Sequence, residues 1–183
     1  MGVIRLLNMM ETDDAKLWEK IEEIYLTSFP ECERKPFELI KGKMGTDAVD
    51  ILAFTESEQI AGLAITMKYR DMVLLDYFAV EAAQRGKGCG SAAIRLLQDQ
   101  FADKKFYLEI ERLKGHTANI AQRKKRKAFY LRNGMHETGM YTRVLGVEYE
   151  ILSYHESPTY EEYVSVYEHA YGMDGSRDII RQE

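Results

Sequence analysis

The residues best placed to do chemistry lie in one segment, Asp76-Tyr77-Phe78-Ala79-Val80-Glu81-Ala82-Ala83-Gln84-Arg85-Gly86-Lys87-Gly88-Cys89-Gly90-Ser91. An apolar run ends at Val80, three glycines alternate at 86, 88 and 90, and Ile94, Leu97 and Phe101 then recur at helical spacing. Glycine permits positive φ and close approach of backbone N–H groups, and a helix N-terminus adds about half a positive charge. A strand, a glycine loop and a helix in that order form an anion site, and its natural guest is a pyrophosphate. A Walker loop needs G-x-x-x-x-G-K-[ST], and no lysine–hydroxyl pair closes this one. A dinucleotide fingerprint needs G-x-G-x-x-G, whereas residues 86–90 read G-x-G-x-G in mid-chain, after strands of antiparallel character.

The elements that must carry this loop follow from periodicity. Val3–Leu7 reads as a strand, and Thr12 or Asp13 can cap a helix that Pro30 ends. Pro36 opens a short helix over Phe37–Met44. Asp50–Thr55, Gln59–Tyr69 and Met72–Val80 read as consecutive strands joined by tight turns. A helix over Ser91–Phe101 follows, then a strand over Lys105–Glu111, with Phe106, Leu108 and Ile110 on one face and Tyr107, Glu109 and Glu111 on the other. Thr117–Asn133 is helical and stops at Gly134. Met140–Leu145 and Val147–Tyr154 form a strand pair, and Pro158 opens a helix with a tyrosine stripe. The order β-α-α-β-β-β-α-β-α-β-β-α predicts an α/β (α+β) fold around a mixed sheet.

Composition sets the outer limits. The chain has 183 residues, 45% hydrophobic and 30% charged, which predicts one domain over 1–183 and excludes disordered and disulfide-scaffold classes. The longest stretch free of charge is Gln59–Met67, far short of the ~18 residues of a membrane helix. Few cysteines and no signal-peptide pattern in Met1–Asp14 point to the cytoplasm. Cys32 and Cys89 lack metal-site spacing, as do His116, His136, His155 and His169, so no metal is expected. The net charge of −5 conceals an acidic C-terminal stretch and a basic run, Arg123-Lys124-Lys125-Arg126-Lys127. In an acidic chain that run reads as a solvated helix face, and no nucleic-acid partner is expected.

The pattern Arg85-x-x-Gly88-x-Gly90 after Ala79-Val80 resembles the coenzyme A signature of the GNAT superfamily of N-acyltransferases. Ala128-Phe129-Tyr130-Leu131-Arg132-Asn133-Gly134-Met135 is similar to that family's next block, about forty residues on, and the element order matches over about residues 3–154. The helix near 158–172 is an extension outside the common core. The resemblance implies acetyl-CoA as acyl donor, transfer to a primary amine of a small molecule or peptide, and direct attack in a ternary complex. It implies that the backbone of Phe78 and Val80 pairs with the pantetheine arm. Backbone N–H groups from Arg85, Gly86, Lys87, Gly88, Cys89, Gly90 and Ser91 hold the pyrophosphate. The resemblance further implies that Tyr130 protonates the departing thiolate. Many members carry Asn seven residues before that tyrosine, where this chain has Arg123, so Arg123 is assigned to the cofactor's 3′-phosphate. Some members place a glutamate four residues before Phe78, where Leu74 stands.

An amine is protonated at neutral pH and needs a base before it can attack. Asp76, Glu109, Glu111, Glu31 and Glu33 are candidates, with Glu109 favoured. The resemblance implies that the loop Phe29-Pro30-Glu31-Cys32-Glu33-Arg34-Lys35-Pro36-Phe37 overhangs the acceptor, with Phe29, Glu31 and Glu33 in contact. Cys32 is expected to be a free thiol. The alternative is a non-catalytic acyl-CoA-binding module with the same loop. The terminal helix either packs on the domain or meets a second subunit in a homodimer.

Overall fold

The structure is a computed structural model, and it describes residues 3–57, 59–114 and 119–182, with the side chain of Cys32 also left undescribed. The expectations for Cys32 and His116, and for the start of the helix at Thr117, therefore lie outside the described residues. Eight strands form one mixed sheet in the order β1-β2-β3-β4-β5-β7-β6-β8. They are β1 (Ile4–Asn8), β2 (Val49–Glu56), β3 (Gln59–Tyr69), β4 (Met72–Val80), β5 (Lys105–Glu111), β6 (His136–Val144), β7 (Val147–Tyr154) and β8 (Ile179–Gln182). Met72–Leu75 of β4 pairs with β5 in parallel, and β1–β2, β2–β3, β5–β7, β6–β7 and β6–β8 are antiparallel. The chain divides into two units, one running to Met67 and including Asp76–Gln100, the other comprising Lys68–Leu75 and the chain from Phe101 on.

In the first unit, α1 (Ala15–Ser28) is capped by Asp14, whose carboxylate accepts from the Lys16 N–H at 2.9 Å. It buries Ile21, Ile24 and Tyr25. The short α2 (Phe37–Lys43) follows Pro36 and buries Phe37 and Ile40. Trp18 donates from its indole to the Thr12 carbonyl (3.2 Å), meets Phe37 edge-on and carries the Lys41 ammonium over its ring.

Gly62 on β3 faces Phe54 on β2, next to a register shift between Phe54 and Thr55. The Phe54 ring fills the space of the missing side chain and stacks on Phe78 of β4 with centroids 5.4 Å apart. A methyl at Gly62 would overlap both that ring and the Ala79 carbonyl oxygen. Phe78 and Val80 pack against the core cluster of Ile4, Phe54, Ala61, Cys89 and Ala93, on which α3 (Cys89–Gln100) also sits.

In the second unit, β5 is buried on both faces. Phe106 stacks on Phe101 on one side, and Tyr107 meets Tyr163 of α5 (Tyr160–Tyr171) on the other. Thr159 and Glu162 close a capping box at the start of α5, and Gly172, with φ of 64°, ends it. The terminal helix thus packs within its own unit, burying Tyr163, Val166, Tyr167 and Ala170. A single turn, α6 (Gly175–Asp178), then leads into β8, and neither was expected from the sequence. A run of four residues is too short to show alternation. Strand β6 starts at His136, four residues before the expected Met140, with a register irregularity between Glu137 and Tyr141 around Gly139, whose φ is 73°. The helix α4 (Ile120–Arg132) has one buried residue, Tyr130.

Candidate active site

The glycine loop is built as its residue types demand. After β4, Glu81 donates its N–H to the Ala61 carbonyl (2.9 Å), accepts from Ala83 N–H on its carboxylate and pairs with Lys20. Those contacts hold its carboxyl below the usual range, the Ala83 hydrogen bond most of all. A turn over Ala82–Gln84 follows, and Arg85 folds back to donate from Nε to the Val80 carbonyl at 3.0 Å. Gly86 and Gly88 have φ of 77° and 85°, conformations that cost an L residue about 1–2 kcal/mol. Nothing lies within 4 Å of where a Gly86 side chain would start, so conformation rather than crowding requires glycine there.

Gly86, Lys87 and Gly88 are exposed, and α3 begins at Cys89, with the Ala92 N–H closing its first turn on the Gly88 carbonyl. The N–H groups ahead of Ala92 are those a helix leaves without intrahelical partners. An exposed loop of left-handed glycines running into a helix N-terminus fits a pyrophosphate by its donors and by its field. The Cys89 thiol turns inward, 3.5 Å from the Glu56 carboxylate, and burial first, then that carboxylate, push its pKa up. Cys89 thus meets the loop only through its backbone.

The segment between α1 and α2 is clamped within the first unit. Tyr25 donates to the Lys35 carbonyl (2.9 Å), and Tyr77 donates to the Glu33 carbonyl (3.0 Å) while accepting from the Lys35 N–H (3.1 Å). Lys35 Nζ lies 2.9 Å from both oxygens of Asp76, whose side chain is 3% exposed. Phe29 packs edge-on against Tyr77 with centroids 4.9 Å apart. Burial pushes the Tyr25 phenol up to about 12 and the Tyr77 phenol further, the Asp76 charge adding to the latter. Glu31 is exposed and Glu33 half-buried. Asp76, one of the base candidates, is thus the partner of a lysine.

In the second unit, Tyr130 is buried near the end of α4, and its carbonyl accepts from the N–H groups of Asn133 and Met135. Burial raises its phenol to about 12, with the Arg126 charge pulling the other way. Glu109, the favoured base candidate, is held by two phenols. Its two oxygens accept from the phenols of Tyr163 and Tyr167, each at 2.6 Å. Arg123, expected at the 3′-phosphate, pairs with the buried Glu111 and donates to the Arg112 carbonyl. Among the described residues, no cluster of His, Cys, Asp and Glu could hold a metal ion, and no helix is long and apolar enough to cross a membrane.

The model of the acetyltransferase (GNAT) family matches residues 18–135, well over half of the chain. The chain belongs to this family. Solved structures of GNAT enzymes share the fold. A GNAT-family protein of Bacteroides thetaiotaomicron is 17% identical with a TM-score of 0.73, over 93% of this chain and 99% of its own. The ribosomal-protein-S18-alanine N-acetyltransferase of Escherichia coli is 17% identical, TM-score 0.59, over 85% and 96%. An aminoglycoside 6′-N-acetyltransferase complexed with coenzyme A is 14% identical, TM-score 0.63, over 86% and 99%. No curated protein matches the chain by sequence.

For a GNAT acetyltransferase, the residues that sequence reasoning passed over are those that fix the segment between the first two helices: Tyr25, Lys35 and Tyr77. Tyr77 carried one signal, its alternation opposite Asp76 and Phe78 along β4. The Lys35–Asp76 pair joins residues about forty apart in the chain and left no local trace.

Proposed function

We propose that this GNAT enzyme transfers the acetyl group of acetyl-CoA to a primary amine of a small molecule or peptide by direct attack in a ternary complex. The observation that carries the reading is the glycine loop, left-handed at Gly86 and Gly88 and running into α3, in a chain matched by the family model. Acetyl-CoA, when bound, supplies the activated acyl group. Backbone N–H groups from Arg85 through Ser91 hold its pyrophosphate, with Gly86, Lys87, Gly88, Cys89 and Gly90 between them. Phe78 and Val80 turn their side chains into the core. Their backbone lies beyond the Met72–Leu75 stretch that pairs with β5 and receives the pantetheine amides.

Tyr130 donates the hydrogen bond to the departing sulfur. A phenol near 12 keeps its proton throughout the working pH range. Full transfer to a thiolate of ordinary pKa is uphill by several kcal/mol, so Tyr130 acts chiefly by stabilising the sulfur as charge develops on it. Glu109 is assigned to anchoring α5 through Tyr163 and Tyr167 rather than to deprotonating the amine. Arg123 is assigned to Glu111 rather than to the 3′-phosphate. The acceptor meets the clamped segment at Phe29, Glu31 and Glu33, where carboxylates and an aromatic ring suit a cation.

The test is a melting curve with acetyl-CoA at about a hundred times its dissociation constant, where one specific site adds roughly 2.7 kcal/mol. The gain should vanish in Gly88→Val. Equal gain in both proteins would refute the loop as the cofactor site. An unchanged turnover in Tyr130→Phe would favour the binding module.

A further inference from the structure

The basic run on α4 is only in part a solvated face. Arg123, Arg126, Lys127 and Tyr130 fall at i, i+3, i+4 and i+7, one side of a helix. Lys124 and Lys125 face outward and are exposed. Arg123 and Arg126 share the carboxylate of Glu111, the last residue of β5, whose side chain is 6% exposed. Lys127 lies 2.7 and 2.9 Å from the two oxygens of Glu150 on β7, 3% exposed, and 2.9 Å from the exposed Glu137 on β6. Tyr130 is the one buried residue of the helix, so charge pairs do much of the docking that apolar side chains do elsewhere.

That choice has a geometric consequence. Apolar contacts are non-directional and let a helix turn or slide. A carboxylate gripped through two oxygens fixes both distance and azimuth. Lys127 and Arg126 stand three and four residues before Tyr130, on its own side of the helix, and the carbonyl of Tyr130 is pinned by Asn133 and Met135.

We propose that Glu111 and Glu150, acting through Arg126 and Lys127, are positioning residues that set the place of the Tyr130 phenol. The proposal rests on the reading of Tyr130 as the donor to the leaving sulfur. The pull of Arg126 on the Tyr130 phenol shows that the guanidinium held by Glu111 is electrostatically in reach of it.

Removing one partner of a buried pair strands the other charge, whereas replacing both can leave stability intact. The decisive variant is therefore Lys127→Met with Glu150→Leu, flanked by Glu111→Gln, each made in the wild-type chain and in Tyr130→Phe. Turnover is read as thiol release from acetyl-CoA with a polyamine, an aminoglycoside or an alanine-initiated peptide, or with water alone as acceptor. The ring resonance of Tyr130, assigned by its loss in Tyr130→Phe, is read alongside. The double variant should melt within a few degrees of wild type, shift the Tyr130 resonance and lose about 10- to 100-fold in kcat, the scale of an ångström of misplacement. Its KM for acetyl-CoA should not change, and in Tyr130→Phe the same substitutions should cost less than twofold. Equal losses in both backgrounds, or an unmoved resonance with wild-type kcat, would overturn the proposal. Wild-type turnover in Tyr130→Phe would instead refute the donor role. The resonance would then decide by itself whether the two carboxylates place the phenol, and an unmoved signal would overturn that too.

Discussion

Gly62→Ala is a sharp test of how the sheet supports the cofactor strand. The added methyl would overlap the Ala79 carbonyl oxygen, a backbone atom with nowhere to go, and the Phe54 ring. Overpacking of this kind costs about 1–3 kcal/mol. If Phe54 yields, its stack on Phe78 is lost as well, worth about 0.5–1.5 kcal/mol. Alanine regains some 0.5 kcal/mol of chain entropy over glycine in a strand. The net loss is about 2–3 kcal/mol, or roughly 5–10 °C in melting temperature for a chain of this length. The assay is circular-dichroism melting with and without acetyl-CoA. Because Phe78–Val80 carries the proposed pantetheine edge, the ligand-induced gain should shrink along with the stability. An unchanged melting temperature would refute the packing argument. A lowered melting temperature with an undiminished ligand gain would refute the link between Gly62 and the cofactor edge.

Tyr130→Phe should lower kcat by about 10²- to 10³-fold, the scale of losing one preorganised hydrogen-bond donor to a developing charge, with the melting gain from acetyl-CoA retained. In a Cys32→Ser background, Cys89 should react slowly with a thiol reagent at pH 7.5, since burial and the Glu56 carboxylate raise its pKa and deplete the thiolate; a rate matching that of the unfolded chain would refute this. Lys105 is pushed up to about 12 by hydrogen bonds to Glu162 and then Glu156, while the Glu162 carboxyl is depressed, by Lys105 above all. The stability from Glu162 is present above the ordinary carboxyl pKa and lost as pH falls through its lowered value. That from Lys105 is present below the ordinary amine pKa and lost as pH rises through about 12. The melting difference between wild type and Lys105→Met should therefore be flat from about pH 5 to 10 and shrink on both sides, and its plateau should be about 1 kcal/mol or less, because solvent still screens this half-buried pair.

The elements legible in the sequence were those whose signal is local. Gln59–Tyr69, Met72–Val80, Lys105–Glu111 and Val147–Tyr154 stand in the structure with the bounds their apolar runs suggest. The glycine loop and the C-terminal end of the helix carrying Tyr130 were legible because glycine spacing and helix caps act over a few residues. The partners of Glu109 left no trace in the sequence, because the apolar face of β5 says nothing of what meets the opposite face. In the structure α5, some fifty residues on, covers the other with Tyr163 and Tyr167. The stripe Arg123, Arg126, Lys127 was visible as charge, but its meaning lay in Glu111 and Glu150, which only folding brings beneath it. Long-range complementarity of this sort leaves no periodicity to read.

The distribution of aromatic residues divides the protein optically. Its one tryptophan, Trp18, lies in the first unit between Phe37 and Lys41. All the tyrosines except Tyr25 and Tyr77 belong to the second unit. Tryptophan emission therefore follows the melting of the half that carries the glycine loop, and near-ultraviolet tyrosine dichroism chiefly follows the half that carries Tyr130. Coincident transitions would show that the two halves unfold as one cooperative body. Transitions that separate would turn the protein's own chromophores into a gauge of the stability of each half by itself.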